Sequence, residues 1–239
     1  MHLVRGVLTS ATVFPFLGIA TRGRIRQRWS RTLLRILGIE LHISGAALIE
    51  RGLLVANHVS WVDIFVINAL TPAAFVSKAD VREWPVIGWL SAVNETVFLR
   101  RGSRGHARVI NDEIAECMAN GRHVALFPEG TTTDGSHVLH FHAALLQPAI
   151  LTGHPIQPVA LRYRTPEGGF TRAAAYDGDV SLGQCIASIV GSRRIVVHLD
   201  VLPAIDTGTA HRREIARAAH AAITDRVAPE QTPAEALAA

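Results

Sequence analysis

His58 and Asp63 stand five residues apart in the heptad Asn57-His58-Val59-Ser60-Trp61-Val62-Asp63, and as a pair they could move a proton. A carboxylate bonded to one ring nitrogen of a histidine fixes the tautomer and leaves the other nitrogen free as a base. Residues five apart inside one helix face different ways, so the pairing needs a turn that runs into the first turn of a helix. The surrounding sequence supplies both parts. The apolar run at residues 53–56 reads as a short buried strand. Ser60 stands where a helix N-cap belongs, with Asp63 three residues on in the capping-box position. His58 is therefore expected where a strand hands over to a helix. The same heptad also fits a plain capping aspartate beside a satisfied turn histidine, and by itself it does not choose between the two.

A second stretch, Phe127-Pro128-Glu129-Gly130-Thr131, likewise follows an apolar strand pattern at residues 124–126. In this order, about 70 residues apart, the two motifs resemble the glycerolipid acyltransferase family, whose best-known members are the 1-acyl-glycerol-3-phosphate acyltransferases. His58 and Asp63 match that family's His-four-residues-Asp block, and Asn57 and Ser60 are frequent companions there. All five positions of its Phe-Pro-Glu-Gly-Thr block are matched. The resemblance implies an acyltransferase that moves a fatty acyl group from a thioester to the free hydroxyl of a lysolipid. His58 would be the base and Asp63 its orienting partner. The donor would be acyl-CoA or acyl carrier protein, and neither a bound cofactor nor a metal is implied. The first acceptor it suggests is lysophosphatidic acid, giving phosphatidic acid in phospholipid biosynthesis; the alternatives are another lysolipid, such as a lyso-ornithine lipid, or an inactive membrane-binding module.

The remaining implied site residues follow by position. The family's arginine block, at the end of a strand, falls on Arg101, with Arg100 standing where an acid or amide is usual. A guanidinium fork offers several donors to one phosphate, so this pair is the expected contact to a glycerol phosphate. Glu129, Gly130 and Thr131 belong to the loop that the resemblance assigns to the acceptor's head group. A carboxylate repels a phosphate, so Glu129 is expected on main-chain amides, on an arginine or on the acceptor's hydroxyl. Trp84, Ile87, Trp89 and Leu90 fit either an acyl-chain contact or a plain core helix. His137, His140 and His142 crowd together, but structural zinc sites usually include cysteines, and no metal is expected.

The elements that must hold these residues alternate strand and helix: strands near 40–44, 53–56, 73–77, 96–101, 122–127, 156–161 and 194–201, with helices between them. That alternation predicts an α/β domain with a mixed, mostly parallel sheet flanked by helices. The acyltransferase domain is expected over 40–227, with a frayed tail at 228–239. Cys117 and Cys185, each among apolar residues, read as buried small hydrophobes and imply no disulfide. No glycine-rich nucleotide loop and no Gly-x-Ser-x-Gly elbow is present, which disfavours nucleotide-dependent and serine-hydrolase chemistry.

Residues 1–39 differ from the rest, with seven arginines and no acid. Their apolar run, 14 residues at 7–20, would reach about 21 Å as a helix, short of the roughly 30 Å bilayer core. Trp29, Leu33, Leu34 and Leu37 recur at helical spacing between the arginines, the pattern of a helix lying in the membrane interface. Each arginine would add up to about 1 kcal/mol of attraction to anionic lipid. The expectation is a membrane-associated protein on the cytoplasmic face of the inner membrane, with no nucleic-acid partner.

Overall fold

The computed structural model describes residues 1–78, 82–83, 88–89, 93, 96–99, 104–208 and 211–228. Among these, a seven-stranded sheet is built from β1 (Ile39–Gly45), β2 (Gly52–Ala56), β3 (Ala73–Lys78), β4 (Val97–Leu99), β5 (His123–Leu126), β6 (Ile156–Arg164) and β7 (Ile195–Val201). The strand order is β1-β7-β6-β2-β5-β3-β4. Neighbours run parallel except β6 and β7, which pair antiparallel. The sheet is thus mixed and mostly parallel, as the alternating pattern predicts, and β2 occupies its middle.

Parallel strands buried on both faces need apolar residues at every position. In β2 all five residues are buried: Leu54 and Ala56 point into one core layer, Leu53 and Val55 into the other. The first layer is closed by α2 (Ile19–Ile36), α3 (Asp63–Leu70) and α6 (Leu182–Gly191), through Leu34, Val66, Ile67, Cys185 and Ile189. The second is closed by α4 (Arg104–Ala119), α5 (Gln147–Leu151, preceded by a 3-10 turn) and α7 (Arg212–Val227), through Ile114, Met118, Ala149, Ile215 and Ile223. Both cysteines are buried, as read from their apolar surroundings.

The N-terminal region departs from expectation in two ways. Residues 7–20 do not form one helix: α1 (His2–Thr12) ends, Phe14-Pro15-Phe16 makes a 3-10 turn, and α2 starts after Gly18. Proline fixes its φ and has no amide to donate, which stops a helix one turn ahead of it from running on. The apolar stripe of α2 is also not a membrane face. Leu33 and Leu34 are buried in the core, Leu37 packs against it, and Trp29 lies between His2 and Phe65. Polar groups of α2 finish the contact. Gln27 Nε2 donates to Leu70 O at 2.7 Å and Arg31 Nε to Ala69 O at 2.9 Å, taking carbonyls that the end of α3 leaves open. Exposed apolar residues of this region lie on α1 and the turn after it, at Leu3, Val4, Leu8, Val13 and Phe16, and at the two ends of α2, Ile19 and Ile36. Among the described residues no helix is long and apolar enough to cross a membrane.

Candidate active site

Both motifs emerge from the same end of adjacent strands. In the β2–β5 register Val55 pairs with Leu126, so the residues after β2 and those after β5 leave the sheet side by side. Ligands of open α/β sheets gather in this position, beyond the carboxyl ends of the strands.

His58 Nδ1 lies 2.8 Å from Asp63 Oδ2. Asp63 is fully buried, and Oδ2 also accepts from the amides of Val59 (2.7 Å) and Ser60 (2.9 Å). Tyr163 OH donates to Oδ1 at 2.5 Å. Ser60 is therefore not the N-cap: α3 begins at Asp63 itself, with Val62 before it and no side-chain cap. The carboxylate reaches back to the turn's own amides, and the positive end of the α3 dipole favours its charge. With the amides of Val59 and Ser60 and the Tyr163 hydroxyl donating to it, Asp63 acts as acceptor. Nδ1 therefore carries the proton, and Nε2 is left as the lone-pair nitrogen. The imidazole lies flat on Phe127, ring centres 3.9 Å apart at 9°, and its side chain keeps 19% exposure. The edge carrying Nε2, opposite the buried carboxylate, is the one a substrate can reach.

The turn around His58 is fixed by main-chain and carboxylate bonds from every side. Asn57 brackets Leu161 of β6, donating to its carbonyl at 3.0 Å and accepting from its amide at 2.8 Å. His58 O accepts from Thr133 N at 2.8 Å, and Val59 O from Tyr176 N at 2.9 Å. Gly135, at φ +86°, packs its α-carbon against Val59: a Cβ there would come within 3.2 Å of both valine methyls. Glu129 supplies the remaining clamp. Its Oε1 accepts from His58 N at 2.7 Å and its Oε2 from Leu139 N at 2.6 Å. Of the three partners open to Glu129 from sequence, the main-chain amides are the ones it meets. Burial pushes its carboxyl up to about 7, the amides of Leu139 and His58 pull the other way, and the nearby Asp63 charge adds to the rise.

Gly130 takes φ +71° and turns the chain, its amide donating to Phe127 O, and Thr131 beside it is exposed at the mouth of the loop. Arg100 and Arg101 lie outside the described residues, as do Trp84, Ile87 and Leu90; Trp89 is described and exposed. The histidine cluster does not converge. His137 faces Asp134, His140 and His142 sit edge to face 6.1 Å apart, and among the described residues no three potential metal ligands come together. Tyr163 and Thr133 were not anticipated from sequence. Tyr163 shares the face of Leu161 on β6, and a buried phenol needs a partner, but only strand pairing says which one.

The arrangement can take a proton from a hydroxyl at Nε2 and hold the resulting imidazolium against Asp63. A family model described as Acyltransferase matches residues 39–162. The chain is 40% identical over 233 residues to a lyso-ornithine lipid O-acyltransferase of Pseudomonas aeruginosa, covering 96% of this chain and 88% of that one. It is 36% identical to a 1-acyl-sn-glycerol-3-phosphate acyltransferase of Neisseria meningitidis, over 81% of this chain and 76% of the other. The crystal structure of the 1-acyl-sn-glycerophosphate (LPA) acyltransferase PlsC from Thermotoga maritima shares the fold. Its TM-score is 0.67 at 21% identity, over 100% of this chain and 98% of that one.

Proposed function

We propose, from the premise that this chain belongs to the acyltransferase family and is an acyltransferase, that it esterifies the free hydroxyl of a lysolipid with His58 as general base. The observation that carries this is the 2.8 Å contact from His58 Nδ1 to a fully buried Asp63. An alcohol is too weak an acid for an imidazole to ionise beforehand, so proton transfer and attack are concerted. Nε2 takes the hydroxyl proton as that oxygen bonds to the thioester carbon. The tetrahedral oxyanion then collapses, the carbon–sulfur bond breaks, and the imidazolium returns the proton to the departing thiolate. Base catalysis of this kind is worth roughly 10²–10⁴ in rate. Glu129 serves it by holding the His58 amide, and the acceptor contacts fall to the Gly130–Thr131 loop and to Arg100 and Arg101.

The acceptor we place first is a lyso-ornithine lipid, supported by the Pseudomonas relative that matches over 96% of this chain. Lysophosphatidate is the second reading, supported by the Neisseria relative and by the arginine pair at 100 and 101. The enzyme works at a membrane surface, on the cytoplasmic face, a reading supported by the exposed apolar residues Leu3, Leu8 and Phe16 of α1 and its turn and by the exposed Arg5, Arg24 and Arg28 nearby in sequence. The test is purified protein assayed against both lysolipids, each with acyl-CoA and with acyl carrier protein, the products identified by mass spectrometry. One acceptor acylated by wild type, with His58→Ala lowering the rate by at least about a hundredfold, is the expected result. No product from either acceptor, or full activity in folded His58→Ala, overturns it.

A further inference from the structure

The proton-transfer pair has a third member on a separate strand. Asp63 Oδ2 is shared by His58 and two amides, whereas Oδ1 takes its bond from the Tyr163 hydroxyl alone among the described residues. Tyr163 comes from β6, 100 residues further along the chain, and is 3% exposed. We propose that Tyr163 is a positioning residue of the acyl-transfer site: its hydroxyl fixes the Asp63 carboxylate in the orientation and charge state that keep His58 a base.

The geometry gives the hydroxyl no other role. β6 lies parallel beside β2, and the Asn57–Leu161 bonds carry that pairing past the last strand pair, Ala56 with Val159. Tyr163, two residues beyond Leu161 and on the same face, is thereby delivered over the start of α3. The groups facing the phenol are Asp63 from α3 and Cys185 from α6, and Glu129 faces Asp63 from the loop after β5. Burial, first, and the charge of Asp63 push the phenol's ionisation well above its ordinary range, so it stays a donor. A carboxylate held at Oδ2 alone could swing about that point. A donor on Oδ1 stops the swing and stabilises the anion without supplying a competing charge.

Tyr163→Phe keeps the ring and removes the donor. With His58 neutral, Asp63 then carries a buried charge with one bond fewer. Protonating the pair at either site relieves that loss, so the pair takes up its proton at higher pH. The expected result is an acidic limb of kcat/KM moved up by about one pH unit. On the plateau, kcat falls about tenfold, and the acceptor KM changes by less than about twofold. The proposal rests on His58 acting as the base, so a second readout avoids turnover: NMR titration of the His58 ring protons should move upward by the same amount. Replacing Tyr163 with 3-fluorotyrosine, in a Tyr176→Phe background that leaves one tyrosine, keeps the size and makes the hydroxyl a stronger donor; the titration should then move downward. If wild type transfers no acyl group, the acyl-transfer reading fails while the titrations still judge Tyr163. A His58 titration unmoved by either replacement overturns the proposal, whatever the activity.

Discussion

Glu129→Gln separates a substrate-binding carboxylate from a buried clamp, because the two roles have opposite stability signatures. In the wild type both oxygens accept main-chain amides, at 2.7 and 2.6 Å, and the side chain is 4% exposed. Glutamine has one oxygen and one NH₂, so one of the two amides meets a donor. A buried amide left without an acceptor costs about 1–3 kcal/mol. Set against this is the charge. Burial raises the carboxyl from 4.5 to about 7, and at about 1.4 kcal/mol per pH unit that is about 3 kcal/mol. A carboxyl whose folded value is raised contributes stability that is fully present below about 4.5 and lost as pH rises through about 7. Glutamine does not titrate. The variant should therefore be less stable than wild type near pH 5 by about 1–3 kcal/mol. By pH 8 the gap should close or reverse, since the wild type alone loses about 3 kcal/mol over that window. Denaturant melts of both proteins at pH 5, 6, 7 and 8 measure the difference, in which the titrations of all other groups cancel. Acyl transfer should fall in the variant even at pH 8, because the His58 turn has lost part of its clamp. A stability gap that stays constant from pH 5 to 8, or widens with rising pH, would refute the reasoning. A gap that closes or reverses would mark Glu129 as a residue that weakens the fold at neutral pH and is kept for what it positions.

Asp63→Asn should lower kcat at least about a hundredfold while changing stability by less than about 1 kcal/mol, because the Tyr163 hydroxyl can rotate to accept from the new amide. Activity and thermal melting measured side by side decide it, and matching losses in both would favour a plain structural role. Leu8→Ser with Phe16→Ser should weaken flotation with anionic vesicles at least about tenfold, since one fully buried side chain of this size is worth about 1.5–3 kcal/mol. The same pair should leave the melting curve in place. Unchanged flotation would move the membrane contact elsewhere on the protein.

The pairing of His58 with Asp63 was legible in the sequence because it is local: a strand, a turn and a helix start within ten residues leave few ways to arrange a five-residue spacing. The α/β class was legible for a related reason, since strands buried on both faces must be apolar throughout and the helices between them must not. Periodicity also marked Trp29, Leu33, Leu34 and Leu37 as one apolar face. It could not say whether lipid or protein would cover that face, and α3 covers it. The helix start was misread by two residues because Asp63 finds acceptor work in the turn behind it, which no propensity records. Which amides Glu129 would hold, and the part played by Tyr163, were beyond local reasoning. One lies 71 residues from His58 and the other 100 from Asp63, and they arrive only because β5 and β6 are the two strands that flank β2. Sequence thus determined which residue could take a proton. The order of strands in the sheet decided which residues would hold it still, because that order sets which main-chain amides and buried charges come to share one end of the sheet.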